Sequence, residues 1–387
     1  MKIIFLFLIL TLFFFCLSSH TKINSINRFK AEDECKESTF LPTEKNVKII
    51  GRFYQNKNTT WIVHSGSAIE FYLTGIAAEI LLLGDSTIYS DEDLRPRFAI
   101  YIDDDLFLDS VMNELELYIK LFDKQEEKKV KIKVMLLSEN KYGGIGIKNI
   151  NVYSCANLNI IEATPRKNLS IEFIGDSMTC AYGVEGKDQN EHFKTSTENF
   201  SKSYAYLASQ ILNIDYSSVS YSGYGIVSGY SQGEKNSEEV VSLYYKNIGK
   251  HENYPGKWDF KKYKNDIIFI NLGANDYNYI LADQENRNDE FIEEYINFID
   301  LVKECNPDSL IICTVGNIGN NEIFKLIENA VKIYSDEKVI SYELPPPQSA
   351  EDGFGSDWHP SVASQERFSK IVADKLKEFI KEYNINN

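Results

Sequence analysis

Four short stretches hold the residue types that acyl transfer needs. "GDSMTCAYG" places Ser177 after Gly175 and Asp176, "SGYG" holds Gly223 and Gly225, "LGAND" carries Asn275 and Asp276, and "DWHPS" carries Asp357 and His359. A serine hydroxyl is a weak nucleophile until a base takes its proton. A histidine with an unperturbed pKa of about 6.5 can be that base near neutrality, which is the role open to His359. Asp357, two residues earlier, can fix the imidazole tautomer from the far ring nitrogen. A tetrahedral oxyanion needs donors already in position, and the N–H of Ser177, the N–H of Gly223 and the side-chain amide of Asn275 are the candidates. Taken singly, each stretch is ordinary: Gly-Asp-Ser is a turn, Gly-x-Asn-Asp a strand exit, Asp-x-His a surface pair or the start of a helix. Their chain order, each at a strand or helix boundary, argues for chemistry.

Those boundaries come from two halves with different rhythms. Over residues 46–158 short β-rich runs follow one another ("VKIIGRF", "WIVHS", "AIEFYL", "AEILLLG", "RFAIYID", "ELYIKLF", "VKIKVMLL", "GIGIKNINVYS"), several alternating apolar with polar, with turn residues between them and no convincing helix. About eight such strands predict a β-sandwich of jelly-roll type. After the connector "CANLNIIEATPRKN", residues 165–387 alternate buried strands ("LSIEFIGD", "IDYSSVSYSG", "DIIFINLGAND", "SLIICTVGN", "KVISYEL") with helix-period stretches ending in "SVASQERFSKIVADKLKEFIKEY". That pattern predicts a three-layer α/β domain around a parallel sheet, with the site outside the carboxyl ends of the strands. Pro360 fits the first position of the last helix.

The net charge of −16 over 387 residues excludes a nucleic-acid backbone or an anionic membrane surface as the natural partner. The opening "MKIIFLFLILTLFFFCLSSH" has one lysine and an apolar run to Leu17. It reads as a secretory signal peptide over residues 1–19, followed by an extension over 20–45, so the mature protein is expected to be secreted and soluble. Beyond Cys16 stand Cys35, Cys155, Cys180, Cys305 and Cys313, without CxxC metal spacing; one or two disulfides are open, and Cys35 with Cys155 would bracket the first half. Sequons stand at Asn58, Asn168 and Asn199, of use only in a eukaryotic host. Asp176 reads as a residue bonding its own turn, Met178 and Cys180 as packing residues, His64 as a sandwich or interdomain residue, and His192 and His251 as solvated.

With the four blocks in view, the second half resembles the SGNH, or GDSL, hydrolases. The preceding half, with "GRFYQNKNTTWIVHSGSAIEFYLTG", resembles the jelly-roll domain of carbohydrate esterase family 2. The resemblance implies a secreted esterase of the acetylxylan esterase type that removes acetyl groups from xylan- or mannan-type polysaccharide, with no metal or cofactor. It implies Ser177 as nucleophile, His359 as proton shuttle, and Ser177 N–H, Gly223 N–H and Asn275 as oxyanion donors. Some members of that family replace the aspartate with a backbone carbonyl, so either Asp357 or a carbonyl completes the triad. Trp358, Tyr224 and Tyr277, beside these blocks, are the candidate sugar-stacking rings. Two other readings compete: a GDSL lipase or lysophospholipase, which needs a long apolar acyl channel, and a non-catalytic carbohydrate-binding protein, which would show decay of the four blocks.

Overall fold

The computed structural model describes residues 35–156, 160–316, 322–346 and 351–385; residues 1–19, read above as a signal peptide, lie outside them. The first half is a large antiparallel sheet. Its strands are β1 (Lys36–Phe40), β2 (Lys48–Ile50), β3 (Phe53–Asn56), β4 (Thr59–Ile62), β5 (Ala68–Gly84), β6 (Arg97–Ile102), β7 (Asp105–Val111), β8 (Glu116–Leu136), β9 (Ile145–Ser154) and β10 (Ile161–Ala163). The main order is β3-β4-β9-β5-β8-β6-β7, with β1 on β9 and with β2 and β10 on β5. "AIEFYL" and "AEILLLG", read as two strands, are one 17-residue strand, and "ELYIKLF" and "VKIKVMLL" merge into the 21-residue β8. The apparent break at Thr74–Gly75 is a pair of register shifts on β8 between Gly75 and Glu79, which let a single strand bend without ending. Inward residues such as Phe71, Ile80, Phe98, Val134 and Ile147 make this half's own core.

In the second half β11 (Ser170–Gly175), β12 (Asp215–Ser220), β13 (Ile267–Asn271), β14 (Leu310–Thr314) and β15 (Val339–Ser341) form an all-parallel sheet in the order β12-β11-β13-β14-β15. Every residue of β13 and β14 is buried, as expected of strands covered on both faces. One face packs on α3 (Tyr277–Leu281), α4 (Gln284–Cys305) and α5 (Glu322–Tyr334) through Ile268, Ile270 and Ile311. The other packs on α2 (Tyr204–Leu212) and α6 (Val362–Glu382) through Ile171, Phe173 and Phe269, and takes in Ile50, Ala99 and Met135 of the first sheet. The α6 helix begins later than Pro360 predicts, because Ser361 is the cap and its hydroxyl accepts from the N–H of Ser364.

Charged groups seal the seam between the two sheets. Arg52, fully buried, donates to both carboxylate oxygens of Glu172 on β11 at 3.1 and 3.2 Å and to the carbonyl of Asn247 at 2.9 Å. Glu172 also accepts from the Tyr245 hydroxyl at 3.0 Å and from Ser217 at 3.2 Å. His64 sits in the same seam as expected, with Nε2 2.9 Å from the carbonyl of Ile248; burial lowers its pKa to about 3, so the ring is neutral. Cys35 and Cys155 are disulfide-bonded, whereas Cys180, Cys305 and Cys313 are free thiols. Asn199 is buried and donates to Glu185 at 2.9 Å, which closes its sequon to modification.

Candidate active site

The carboxyl ends of β11, β12 and β13 and the turn before α6 meet at one edge of the parallel sheet, around a cavity of about 640 Å³. The β11 strand stops at Gly175, and Asp176 caps the short helix α1 (Ser177–Cys180), accepting from the N–H of Met178 at 3.0 Å. Asp176 thus bonds its own turn, as its place in the sequence suggests, and sets Ser177 at the helix N-terminus on the cavity wall. The β12 end leads to Gly223, whose φ of 85° lies where a side chain is strained. Gly225 is a matter of space: a Cβ there would lie 2.0 Å from the carbonyl oxygen of Ser228 and 2.6 Å from Asp276. Asp276 explains that crowding, because its buried carboxylate accepts from the N–H groups of Ile226, Val227 and Ser228 at 2.7 to 3.1 Å and ties the loop after β12 to the end of β13. Burial raises the pKa of Asp176 to about 7 and that of Asp276 to about 6.

Ser177 and His359, 182 residues apart in sequence, come together: Nε2 of His359 lies 2.9 Å from Oγ of Ser177. The expectation for Asp357 is corrected. Asp357 and Trp358 both adopt left-handed backbone conformations, with φ of 49° and 65°. That turn aims the carbonyls of Asp357 and Ser356 at Nδ1 of His359, at 3.1 and 3.3 Å, and carries the Asp357 carboxylate away from the ring. The carboxylate instead accepts from Tyr182 Oη at 3.1 Å, the N–H of Phe193 at 3.0 Å and Nδ1 of His192 at 3.0 Å. Burial works against it, but those donors hold the Asp357 carboxyl below its usual range. Burial also lowers the pKa of His359 below its ordinary value, against the two carbonyls and the Asp357 charge, which raise it. The imidazole is therefore held neutral, with Nδ1–H fixed toward the carbonyls and Nε2 left to accept a proton.

Asn275 and Gly223 line the same cavity. The Asn275 amide donates to the carbonyl of Tyr224 at 2.9 Å and makes a longer contact of 3.3 Å to Asp176. Trp358 is 60% exposed on the cavity rim, edge-on to Phe354 at 5.2 Å, and Tyr277 also lines the cavity. Tyr224 does not. Its N–H closes a turn on the carbonyl of Tyr221, and its ring is buried between Tyr221 and Tyr244, at 5.1 and 5.9 Å, as part of the core. His192, read as merely solvated, is exposed but bonded to Asp357. Residues without a signal in the sequence also reach the site: Tyr182 lies against His359 with ring centroids 4.3 Å apart, and Lys141, Tyr230 and Glu239 line the cavity. Among the described residues the sole candidate metal cluster, Glu139, Cys180 and Glu198, is buried behind the cavity wall.

A serine just past the first strand of a parallel sheet, within hydrogen-bonding reach of a histidine in the turn before the last helix, is the arrangement of an ester hydrolase built on an α/β sheet. The chain belongs to the GDSL-like lipase/acylhydrolase family, whose profile matches residues 171–372, more than half of its length. It is 32% identical over 216 residues to the cellulase/esterase CelE of Acetivibrio thermocellus, an alignment covering 54% of this chain and 25% of that one. It is 25% identical over 232 residues to an acetylxylan esterase/glucomannan deacetylase of Cellvibrio japonicus, covering 56% and 61%. The chain thus spans less than two thirds of these two relatives. A further Cellvibrio japonicus protein of the same description aligns over 98% of this chain and 99% of its own at 21% identity. Among solved structures, a family two carbohydrate esterase from Clostridium thermocellum in complex with cellohexaose matches with a TM-score of 0.74 and 25% identity, over 87% of this chain and 99% of that one. The likeness to family two carbohydrate esterases therefore takes in both sheets. Among the described residues no helix is long and apolar enough to cross a membrane.

Proposed function

We propose that this protein is a secreted carbohydrate esterase that removes acetyl groups from polysaccharide by a serine–histidine mechanism. The observation that carries the reading is the 2.9 Å contact between Ser177 Oγ and His359 Nε2 on the wall of an open cavity. In this reading His359 takes the Ser177 proton as the oxygen attacks the acetyl carbonyl, and the imidazolium is stabilised through Nδ1–H by the carbonyls of Asp357 and Ser356. The proton then passes from Nε2 to the departing sugar oxygen. Water, deprotonated by the same nitrogen, releases acetate from the acyl-enzyme. The oxyanion is received by the N–H groups of Ser177 and Gly223 and by Asn275, whose second amide hydrogen is spent only on the long contact to Asp176.

The cavity rim favours sugar over a long acyl chain. It presents the exposed rings of Trp358 and Tyr230 beside Lys141, Glu239 and Asn278, which suits a pyranose face with hydroxyls at its edge. The first-half sheet, taken here as a sandwich of jelly-roll type over residues 46–158, would serve as the scaffold on which the esterase domain at 165–387 is built. The apolar run ending at Leu17 would direct export. The test is acetate release from acetylated xylan and acetylated glucomannan, alongside 4-nitrophenyl esters of two and eight carbons. The reading expects acetate from at least one polysaccharide and a preference for the two-carbon ester. No acetate release, or preference for the longer chain, would overturn it.

A further inference from the structure

Directly behind the wall that holds Ser177 and Gly223 lies a group of side chains that the mechanism does not use. Glu139, Cys180 and Glu198 are all fully buried, and one ligand atom from each lies within 4.8 Å of the others. Glu139 belongs to the first half, just beyond the end of β8, whereas Cys180 and Glu198 belong to the second. Oε2 of Glu139 accepts from the N–H of Ser222 at 2.9 Å, one residue before Gly223. The N–H of Glu139 in turn donates to Oε2 of Glu198 at 3.2 Å. Cys180 Sγ donates to the carbonyl of Ser177 at 3.5 Å and exchanges a bond with the Ser222 hydroxyl at 3.3 Å. The group therefore ties together the two backbone segments that present oxyanion donors.

Two oxygens in this group have no hydrogen-bond partner, Oε1 of Glu139 and Oε1 of Glu198. Two bare carboxylates at such separation, sealed from water, repel one another and lose their hydration. A single proton on the pair removes the repulsion and leaves only one charge buried there. Burial drives both carboxyl groups upward, and the charge of Glu139 pushes Glu198 further; Lys141 and Lys250, the cations acting on Glu139, pull the other way, and the phenols of Tyr142, Tyr182, Tyr221 and Tyr224 and the Cys180 thiol complete the titratable surroundings.

We propose that Glu139 is a positioning residue for the oxyanion site: it reaches from the first sheet to hold the Ser222–Gly223 segment, and is itself held by Glu198, which accepts from its main-chain N–H, the two carboxyls carrying one proton between them. The inference rests on the reading of Gly223 N–H as an oxyanion donor. It gives the first half a share in the chemistry, since the strut that sets the donor's place is built there. A donor displaced by about an ångström costs on the order of a hundredfold in rate, and it does so in the chemical step and not in substrate affinity.

The test measures kcat and KM for 4-nitrophenyl acetate, with thermal melting of each variant. Glu139→Asp withdraws the carboxylate by one bond of about 1.5 Å, and Glu139→Ala removes it. Both should lower kcat roughly 10- to 100-fold with KM within about twofold. Glu139→Gln keeps an oxygen for the Ser222 N–H and the main-chain N–H on Glu198 and puts no charge beside it, so it should recover most of the lost kcat. A folded Glu139→Asp protein with wild-type kcat overturns the proposal, as does a Glu139→Gln protein no better than Glu139→Ala. A wild-type protein inert toward the ester, or an active Ser177→Ala protein, overturns the underlying reading instead and takes the proposal with it; the Glu139 variants play no part in that result. Stoichiometric metal in the wild-type protein, lost in Glu198→Gln, would put a cation where the proposal puts a proton and would overturn it too.

Discussion

Replacing Asp357 by asparagine separates two accounts of how His359 is held. Where a carboxylate bonds the imidazole directly, losing it costs on the order of 10⁴ in kcat, about 5.4 kcal/mol. Here the Nδ1 partners are the main-chain carbonyls of Asp357 and Ser356 at 3.1 and 3.3 Å, which survive any substitution that leaves the backbone in place. Asparagine is the right substitution because residue 357 has φ of 49°, and asparagine tolerates the left-handed region, whereas alanine would add a strain of about 1 to 2 kcal/mol. What Asp357→Asn removes is the charge, felt by the ring at a distance from a side chain 33% exposed to water, and hence screened. The expected loss in kcat/KM is below roughly tenfold, or about 1.4 kcal/mol. Alanine should cost more, because it also releases Tyr182, His192 and the Phe193 N–H. Steady-state kinetics on a soluble acetyl ester, with thermal melting to confirm folding, is the assay. A thousandfold loss in a normally folded Asp357→Asn protein would refute the reasoning and return the carboxylate to the triad.

Three further outcomes are expected. The acid limb of kcat/KM should fall at an apparent pKa below the usual histidine value, because burial favours the neutral, base-competent ring; Asp357 raises that pKa, so Asp357→Asn should move the limb further toward acid, and a shift toward alkaline pH would contradict the assignment. Arg52→Ala should destabilise the protein by about 3 to 5 kcal/mol in denaturant titration, since it strands Glu172 in the seam; a cost under about 1 kcal/mol would mean that the pair is not sealing it. Trp358→Ala should raise KM for acetylated polysaccharide several-fold while leaving kcat on 4-nitrophenyl acetate within about twofold, a split expected of a stacking ring and absent if Trp358 only packs on Phe354.

The parallel sheet and the four motif blocks were legible because both leave local marks. A buried parallel strand is a short apolar run, and a turn at its end needs glycine or a small polar residue, so Gly175, Gly223 and Gly273 marked the exits of β11, β12 and β13. Parallel topology then gathers those exits on one edge, and the Ser177–His359 encounter follows from the chain order. Side-chain direction left no such mark. Whether the Asp357 carboxylate or its carbonyl faces His359 depends on two left-handed residues in succession, and neither Asp357 nor Trp358 announces that conformation. Tyr224 and Trp358 look alike as aromatics beside motif residues, yet the turn onto Tyr221 buries the first and the 357–358 turn exposes the second. Arg52, Glu172, Glu139 and Glu198 were hidden for a different reason. A charged residue in a strand or loop reads as solvent-facing until the group that bonds it, more than fifty residues away, is known. In the first half, Gly75 reads as a turn in sequence and acts as a bend inside β5.

The central claim, that Ser177 is a nucleophile activated by His359, is tested most directly by covalent trapping with an alkyl fluorophosphonate, followed by peptide mass spectrometry. The account predicts one adduct on the peptide containing Ser177, a reaction at least about a thousandfold slower in His359→Ala, and none in Ser177→Ala. An adduct on another residue, or labelling of Ser177 at an undiminished rate without His359, would contradict it.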